Sequence, residues 1–253
     1  MAIDEALLRH AEHQAGPSTT LRLYRWTKPT VSLGYAQRAQ EAANLAFCAA
    51  NEIEVVRRPT GGRAVLHAEE LTYAIISNDV QLFGGSTIQA AYMAIAGILQ
   101  LALQRIGCPA QISPGNIHRR DSCPPEIEVG ATKEVPCFSS TSRFEITAAG
   151  RKLVGSAQRR LKSAFLQHGS ILIGCDYEFQ ARALGANPEV LQQQFVGVGD
   201  FVSKPLVEQM LRRQIPECLQ ELLKCTCQEG EIHQEESLEA LHLVETGRHR
   251  ISL

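Results

Sequence analysis

The chain has 253 residues, of which 44% are hydrophobic and 21% charged, a balance typical of folded globular proteins and unlike that of disordered or coiled-coil chains. Its formal net charge is −2 and it has no block of basic residues, which argues against nucleic acid as a partner. The apolar stretches are interrupted well short of the ~20 residues that a membrane span needs, and the partly acidic, amphipathic start does not fit a signal peptide.

The first half of the chain predicts helices and strands in alternation. Ile3, Leu7, Leu8 and Ala11 recur at helical spacing, and Gly16-Pro17 ends that helix. Alternating apolar positions and turn residues predict the strands, and an alanine-rich stretch and a long apolar stripe predict two more helices. The predicted helices are 1–15, 39–50 and 87–105, and the predicted strands are 21–26, 30–35, 53–57, 64–67 and 71–77.

The second half begins with a long segment, 113–136, that is rich in proline, glycine and charge and predicts a loop. Long loops in compact domains are often functional. A hairpin (144–147 and 152–154) and a strand (165–173) follow, and then helices at 176–184, 203–224 and 235–246. This order predicts an α+β fold, with mixed β-sheets flanked by helices and a short helical C-terminal tail region.

The segment 57–63 places Gly61 and Gly62 between two strands, with arginines before and after them and His67 shortly downstream. Glycines without a Cβ let the backbone approach a ligand closely. The arginines and the histidine could face a carboxylate, a thioester or a phosphate. The alternative is an ordinary glycine turn with surface arginines.

Two further segments carry polar residues within strands. By strand alternation Lys152 and Val154 share a face and Leu153 points to the other, so the lysine can place its ammonium near a ligand oxygen. A solvated hairpin lysine is the alternative. The polar run 167–170 interrupts an apolar strand, and buried polar groups need partners.

The eight cysteines have no regular spacing, and without an export signal they are expected to be reduced thiols in a cytoplasm. Cys137 closes the long loop, and a nearby ammonium such as that of Lys152 would favour its nucleophilic thiolate. The alternative is a small buried hydrophobic side chain. Cys225 and Cys227, with His233 and His242, do not have the spacing of a standard zinc ligand set, and no metal is predicted.

Taken together, the segments resemble a known family. From MAIDEALL through TLRLYRWTKPTVSLGYAQ and RRPTGGRAVLHAEELTYAI to CFSSTSRFEITAAGRKLVGSAQRR and FLQHGSIL, about residues 1–173 are similar to the lipoate and octanoate transferase branch of the biotin and lipoate protein ligase superfamily. Within that branch the chain looks most like octanoyltransferases of the LipM type. The resemblance implies a catalytic fold like that of biotin ligases and class II aminoacyl-tRNA synthetases.

The resemblance also implies roles for residues. Cys137 matches the acyl-thioester nucleophile, and Lys152 matches the lysine that activates it and contacts the acyl carbonyl. The remaining matched positions are substrate-binding residues of the acyl slot: Arg58, Thr60, Gly61, Gly62, His67, Gly155, Ser156, Gln158, His168 and Gly169. The chain departs from the family pattern at Ala68-Glu69-Glu70, where an aspartate usually follows the histidine, and at Ser139-Ser140, where an aspartate-alanine pair is common.

The function implied is transfer of octanoyl from octanoyl-acyl carrier protein, through the cysteine, to a lysine of a lipoyl domain in lipoate biosynthesis, without a cofactor. The acceptor would be the glycine cleavage H protein or a 2-oxoacid dehydrogenase E2 subunit. The alternatives are an octanoyl transferase between lipoyl domains, an ATP-dependent lipoate-protein ligase, and a non-enzymatic lipoyl- or biotin-binding module. We expect a catalytic domain at residues 1–225 and a tail at 226–253 that packs on it.

Overall fold

The computed structural model describes residues 1–113, 144–249 and 251 and places two β-sheets among helices, which confirms the predicted α+β class. The strands are β1 (Thr19–Tyr24), β2 (Thr30–Leu33), β3 (Glu54–Arg57), β4 (Val65–His67), β5 (Glu70–Ser77), β6 (Gln111–Ile112), β7 (Ile146–Ala148), β8 (Arg151–Arg160) and β9 (Phe165–Leu172). The helices are α1 (Ala2–His13), α2 (Ala39–Ala42), α3 (Leu45–Ala50), α4 (Ile88–Arg105), α5 (Tyr177–Leu184), α6 (Pro188–Gln194), α7 (Lys204–Leu223) and α8 (Gln234–Glu245).

The larger sheet has the strand order β1-β5-β9-β8-β7-β6, and every neighbouring pair in it is antiparallel. The smaller sheet has the order β3-β2-β4 and is mixed, because β2 is parallel to β3 and antiparallel to β4. Only the first half of β8 pairs with the short β7. Since β8 continues to Arg160 along β9, its second half extends beyond β7.

Helices cover both faces of the larger sheet, and the alternation of side chains along β5 shows which helices lie on each face. Leu71, Tyr73 and Ile75 belong to the main core with α4 and α7, whereas Ala74 and Ile76 pack with α1 on the opposite face. Alternate residues of a strand point to opposite faces, so one strand supplies both layers. Within the part of the chain that the structure describes, no helix is both long and apolar enough to cross a membrane.

The predicted alternation along β8 is wrong at one point. The pairing shifts between Ile146, opposite Val154, and Thr147, opposite Lys152, so that Leu153 is an extra residue in β8. Such a bulge interrupts the period of two and redirects side chains. Leu153 and Val154 therefore both lie in the main core, and Lys152 points into a cavity instead of sharing a face with Val154.

Two helical predictions also differ from the structure. The single helix expected over 39–50 is two short helices, because Ala43 is extended and Asn44 caps α3 by accepting a hydrogen bond from the Phe47 N–H. The Asn44 N–H donates to Ala183 O at 2.8 Å, so a tertiary contact fixes the break. Helix α6 was not predicted, although Asn187 caps it and Pro188 occupies its first turn.

The end of the chain is attached to the smaller sheet and to α1. The Arg57 N–H donates to His249 O at 2.7 Å, and the Ile251 N–H donates to Val55 O at 3.1 Å, along the edge of β3. Helix α8 packs on α1 through Ala6, Ala240 and Leu243. The buried carboxylate of Glu5 joins these parts, because Arg248 Nε lies at 2.8 Å and His249 Nε2 at 3.1 Å from its oxygens.

This carboxylate predicts an acid-sensitive contribution to stability. Burial by itself raises the pKa of Glu5, but the contacts with His249, Arg248 and Arg9 outweigh it and lower the pKa to about 2. The folded-state pKa is below the unfolded value of ~4.3, so the contribution is present above pH ~4.3 and is lost as the pH falls towards 2. This difference in pKa corresponds to about 3 kcal/mol, and we expect Glu5→Gln to lower the free energy of unfolding at pH 7 by about 2 kcal/mol, because the partners Arg9 and Arg248 are partly exposed and solvent weakens their contacts.

Urea unfolding of the wild type and the variant at several pH values measures this contribution. The difference between the two proteins should shrink as the pH falls from 4.3 to 2. Glu41→Gln is the matched control, because the Arg38–Glu41 pair is exposed and such pairs contribute little. A Glu5→Gln deficit that is independent of pH would contradict the assignment to this carboxylate.

Candidate active site

A cavity of about 490 Å³ lies where the β3–β4 loop faces strands β8 and β9. Ten of the residues predicted from the sequence to form a site line it: Arg58, Gly61, Gly62, His67, Lys152, Gly155, Ser156, Gln158, His168 and Gly169. Thr60 contacts one of them, because its Oγ1 lies 2.7 Å from His168 Nε2. Cys137 lies outside the described residues.

The guanidinium of Arg58 is buried and holds the glycine loop together. Its Nη1 donates to the Ser32 carbonyl at 2.8 Å and its Nη2 donates to the Gly61 carbonyl at 2.9 Å. Nη2 also donates to the Arg63 carbonyl at 2.5 Å. These bonds tie both ends of the loop to β2. The sequence suggested that an arginine here could face an anionic group, and the structure shows Arg58 donating to carbonyl oxygens of its own chain.

Two glycines are required where this loop crosses β2. A Cβ on Gly34 would lie 1.8 Å from the carbonyl oxygen of Gly62, a distance that real Cβ atoms do not reach. Gly62 has a φ of +91°, in the left-handed region that side chains disfavour. Backbone atoms at Gly62 therefore form part of this wall of the cavity, whereas a Cβ on Gly61 would meet nothing within 4 Å.

His67 is fixed by partners on both ring nitrogens. Nδ1 lies 2.6 Å from Glu70 Oε1, and Nε2 lies 2.7 Å from Ser32 Oγ, which also receives a hydrogen bond from Arg58. The ring of Trp26 stacks on the imidazole with centroids 4.4 Å apart. Glu70 thus supplies the carboxylate partner of His67 in this chain, at the position where the sequence departs from the family pattern.

A second buried histidine links the cavity to α1. His168 Nδ1 lies 3.6 Å from Asp4 Oδ2, and Asp4 is also contacted by Arg22 and by the Tyr24 hydroxyl at 2.7 Å. Burial lowers the pKa of His168, although Asp4 opposes this effect. Through its contact with Thr60 Oγ1, His168 supports the Thr60 end of the loop as a hydrogen-bonding group.

Ser156 and Gln158 lie at the β8–β9 wall and are held by hydrogen bonds. Ser156 Oγ lies 2.6 Å from the Tyr73 hydroxyl, and Gln158 Nε2 donates to Gln167 Oε1 at 3.0 Å. Gln167 Nε2 donates in turn to the Tyr73 hydroxyl at 3.3 Å. The polar residues that interrupt the apolar strand therefore have partners across the sheet, as buried polar groups require.

Lys152 lies at the β7 side of the cavity and is paired with a carboxylate. Its Nζ lies 2.5 Å from Glu145 Oε1, and the two side chains are 11% and 8% exposed. Tyr92 lines the same region, and burial, together with the neighbouring Tyr73 and Glu145, raises its pKa. The arrangement places a cation, a carboxylate and a phenol at one end of a cavity whose other walls include Arg58, Arg63 and the glycine loop.

Several of these residues were not predicted from the sequence. Glu145, Tyr92, Ser32 and Asp4 either line the cavity or hold residues that line it. Asp4 is the informative case, because a carboxylate that is completely buried in an amphipathic helix must have partners. It lies three and four residues before Leu7 and Leu8, which places it on the apolar stripe, and this was the signal available in the sequence.

The cysteines and histidines near the end of the chain do not form a metal site among the residues described. In residues 1–113 and 144–249 no three side chains of His, Cys, Asp or Glu are grouped so that they could hold a metal ion. Cys225 is half-buried and Cys227 is exposed, directly after α7.

Comparison with known proteins identifies relatives. The family model described as "Lipoyl protein ligase A/B catalytic domain" matches residues 1–215. A Carboxydothermus hydrogenoformans protein named octanoyltransferase LipM is 42% identical over 184 residues, which are 73% of this chain and 64% of that protein. A Kyrpidia tusciae protein of the same name is 32% identical over 245 residues, which are 93% of this chain and 86% of that protein.

The chain thus spans slightly less than two thirds of the C. hydrogenoformans protein. Among solved structures, a lipoate-protein ligase A bound with ATP is similar, with a TM-score of 0.74 and 26% identity; the match covers 96% of this chain and 87% of that chain. These similarities confirm the resemblance that the sequence motifs indicated, and they confirm the expected ligase-like catalytic fold.

Proposed function

This chain belongs to the lipoyl protein ligase A/B catalytic domain family, and we propose that it is an acyltransferase that moves an octanoyl group to a lysine of a lipoyl domain during lipoate biosynthesis. The observation that carries this proposal is the convergence on one cavity of three segments, 58–67, 152–158 and 168–169, that match octanoyltransferases. The names of the two bacterial relatives support octanoyl as the group transferred.

The proposed reaction has two steps. The Cys137 thiolate attacks the thioester carbonyl of octanoyl-acyl carrier protein, the carrier–sulfur bond to the carbonyl breaks, the carrier leaves as a thiolate that takes a proton from solvent, and the acyl group remains on the cysteine. The amine of the acceptor lysine then attacks this thioester, the cysteine sulfur leaves, and one proton is released to solvent. An amide is more stable than a thioester, so the second step drives the reaction forward.

Lys152 is proposed to serve both steps. Its ammonium favours the thiolate of the nucleophile and donates a hydrogen bond to the oxygen that becomes negative as the carbonyl is attacked. Its position in the wall of the cavity supports this role. The buried bonds of Arg58, His67 and His168 support a rigid acyl slot, which positions the reacting carbonyl.

The partners and the domain division are proposals as well. The donor is octanoyl-acyl carrier protein, and the acceptor is the glycine cleavage H protein or a 2-oxoacid dehydrogenase E2 subunit. Residues 1–225 form the catalytic domain and 226–253 form a tail. The contact between α8 and α1 and the pairing of 249–251 with β3 support a tail that packs on the catalytic domain.

Intact mass of the purified protein after incubation with octanoyl-acyl carrier protein, without ATP, tests the function. We expect a gain of one octanoyl group that hydroxylamine removes and that is absent in Cys137→Ala, with Cys227→Ala as the matched control because Cys227 is exposed and remote in sequence. An adduct that persists in Cys137→Ala would contradict the assignment of Cys137 as the nucleophile.

Other outcomes separate the alternative functions. An adduct formed only from octanoylated lipoyl domain would make the protein an octanoyl transferase between lipoyl domains. Acceptor modification that requires ATP and free acid would make it a ligase. Binding of lipoyl domain with no transfer under any of these conditions would indicate a binding module.

A further inference from the structure

The backbone at Glu145 is held in place by neighbouring strands, independently of any ligand. It lies directly before β7, and its carbonyl accepts a hydrogen bond from the Ser113 N–H at 2.8 Å, which continues the pairing of β6 with β7. The preceding residue, Phe144, has a φ of +70°, an uncommon conformation for a residue with a side chain. The surrounding structure therefore determines where the Glu145 carboxylate lies.

That carboxylate reaches Lys152 across the bulge in β8. The bulge at Leu153 turns Lys152 towards the cavity, and Glu145 Oε1 lies 2.5 Å from Lys152 Nζ. Both side chains are about nine-tenths buried. In such surroundings removal of one partner leaves a costly buried charge, so each side chain holds the other in place.

We propose that Glu145 is a positioning residue for acyl transfer, which holds the Lys152 ammonium directed at the acyl carbonyl oxygen. This inference rests on the proposed function. The Glu145–Lys152 pair has no net charge, so its field at a distance is weak. Lys152 therefore acts on the nucleophile and on the acyl oxygen only at close range, and on the oxygen through a directed hydrogen bond.

As the nucleophile adds, the π electron pair of the carbonyl moves to its oxygen, and a Lys152 N–H donates a hydrogen bond to that oxygen. When the leaving group departs with its bonding pair, the oxygen returns its electrons to the carbonyl. Lys152 keeps its proton throughout, and Glu145 remains a carboxylate.

A double-mutant cycle tests whether Glu145 acts through Lys152. The variants are Glu145→Gln, Lys152→Met and the combination of both, and the measurement is the single-turnover rate constant of octanoyl transfer to the acceptor. We expect Glu145→Gln to lower this constant ~10- to 100-fold and the double variant to equal Lys152→Met, because a positioning residue has nothing left to position. Glu145→Asp, which keeps the charge, should restore part of the loss.

The controls distinguish failure of this inference from failure of the proposed function. Glu69→Gln removes the carboxylate of the Glu69–Lys204 pair, which is also an ion pair but lies outside the cavity, and should leave the rate unchanged. Should Glu145→Gln fail to fold, the double variant lacks both buried charges and is compared directly with Lys152→Met. A double variant slower than Lys152→Met, or a Glu145→Gln rate equal to wild type, would overturn the inference. A wild-type protein that forms no acyl adduct would instead refute the proposed function.

Discussion

Lys152→Met is expected to lower the rate constant of octanoyl transfer by a factor of ~10² to 10³. Methionine preserves much of the length of the side chain but removes the charge and the hydrogen-bond donors. Loss of one donor to a developing oxyanion costs a factor of this size in other acyl transfers. Because the lysine serves both steps in the proposed reaction, formation of the acyl-enzyme should slow as well as its consumption. Rapid quench followed by intact mass measures the two steps separately.

Two variants control for effects other than chemistry. Lys204→Met removes an equally paired lysine, 2.9 Å from Glu69 but 53% exposed and outside the cavity, and should leave both rate constants unchanged. Lys152→Arg keeps the positive charge beside Glu145 but changes the geometry of the donors, so a partial loss is expected. If Lys152→Met transferred octanoyl at the wild-type rate, Lys152 would have no part in the chemistry.

The fold was predictable where local signals and tertiary contacts agree. The strand β5 follows a clear apolar pattern, β9 follows one that is interrupted at 167–170, and both appear where the sequence places them. The break between α2 and α3 depends on a contact between Asn44 and Ala183, which are remote in sequence, so an alanine-rich pattern could not show it. Helix α6 carried an Asn-Pro start signal, but its seven residues are too few for a clear apolar period.

The candidate site was predictable only in part, because the partners of its residues depend on tertiary contacts. Its predicted residues came from segments that match a family, and those segments converge on one cavity. The partners that hold them depend on register. Glu145 meets Lys152 because β8 has an extra residue at Leu153, and a bulge of this kind has no marker in the sequence. A charged residue at the edge of a strand reads as solvent-exposed until its cross-strand neighbour is known.

Gly169→Ala is expected to damage both the stability of the protein and the cavity. A Cβ at this position would lie 2.2 Å from the Gly155 carbonyl oxygen and 2.8 Å from the ring of Tyr73. Neither can move aside easily, because Gly155 is paired within the β8–β9 ladder and Tyr73 is completely buried. Overpacking of this kind costs about 1–3 kcal/mol. Relief requires β8 to move away from β9, which would shift Ser156 and the cavity wall.

Gly61→Ala is the matched comparison, since Gly61 lines the same cavity but a Cβ there would meet nothing within 4 Å. The same substitution should therefore be nearly neutral in urea unfolding at Gly61 and strongly destabilising at Gly169. Octanoyl transfer should fall in Gly169→Ala even at temperatures where it is fully folded, because the displaced strand carries Lys152 as well as Ser156. Equal stability of the two variants would mean that β8 and β9 can separate without cost, and the close contact at Gly169 would then not determine the shape of the cavity.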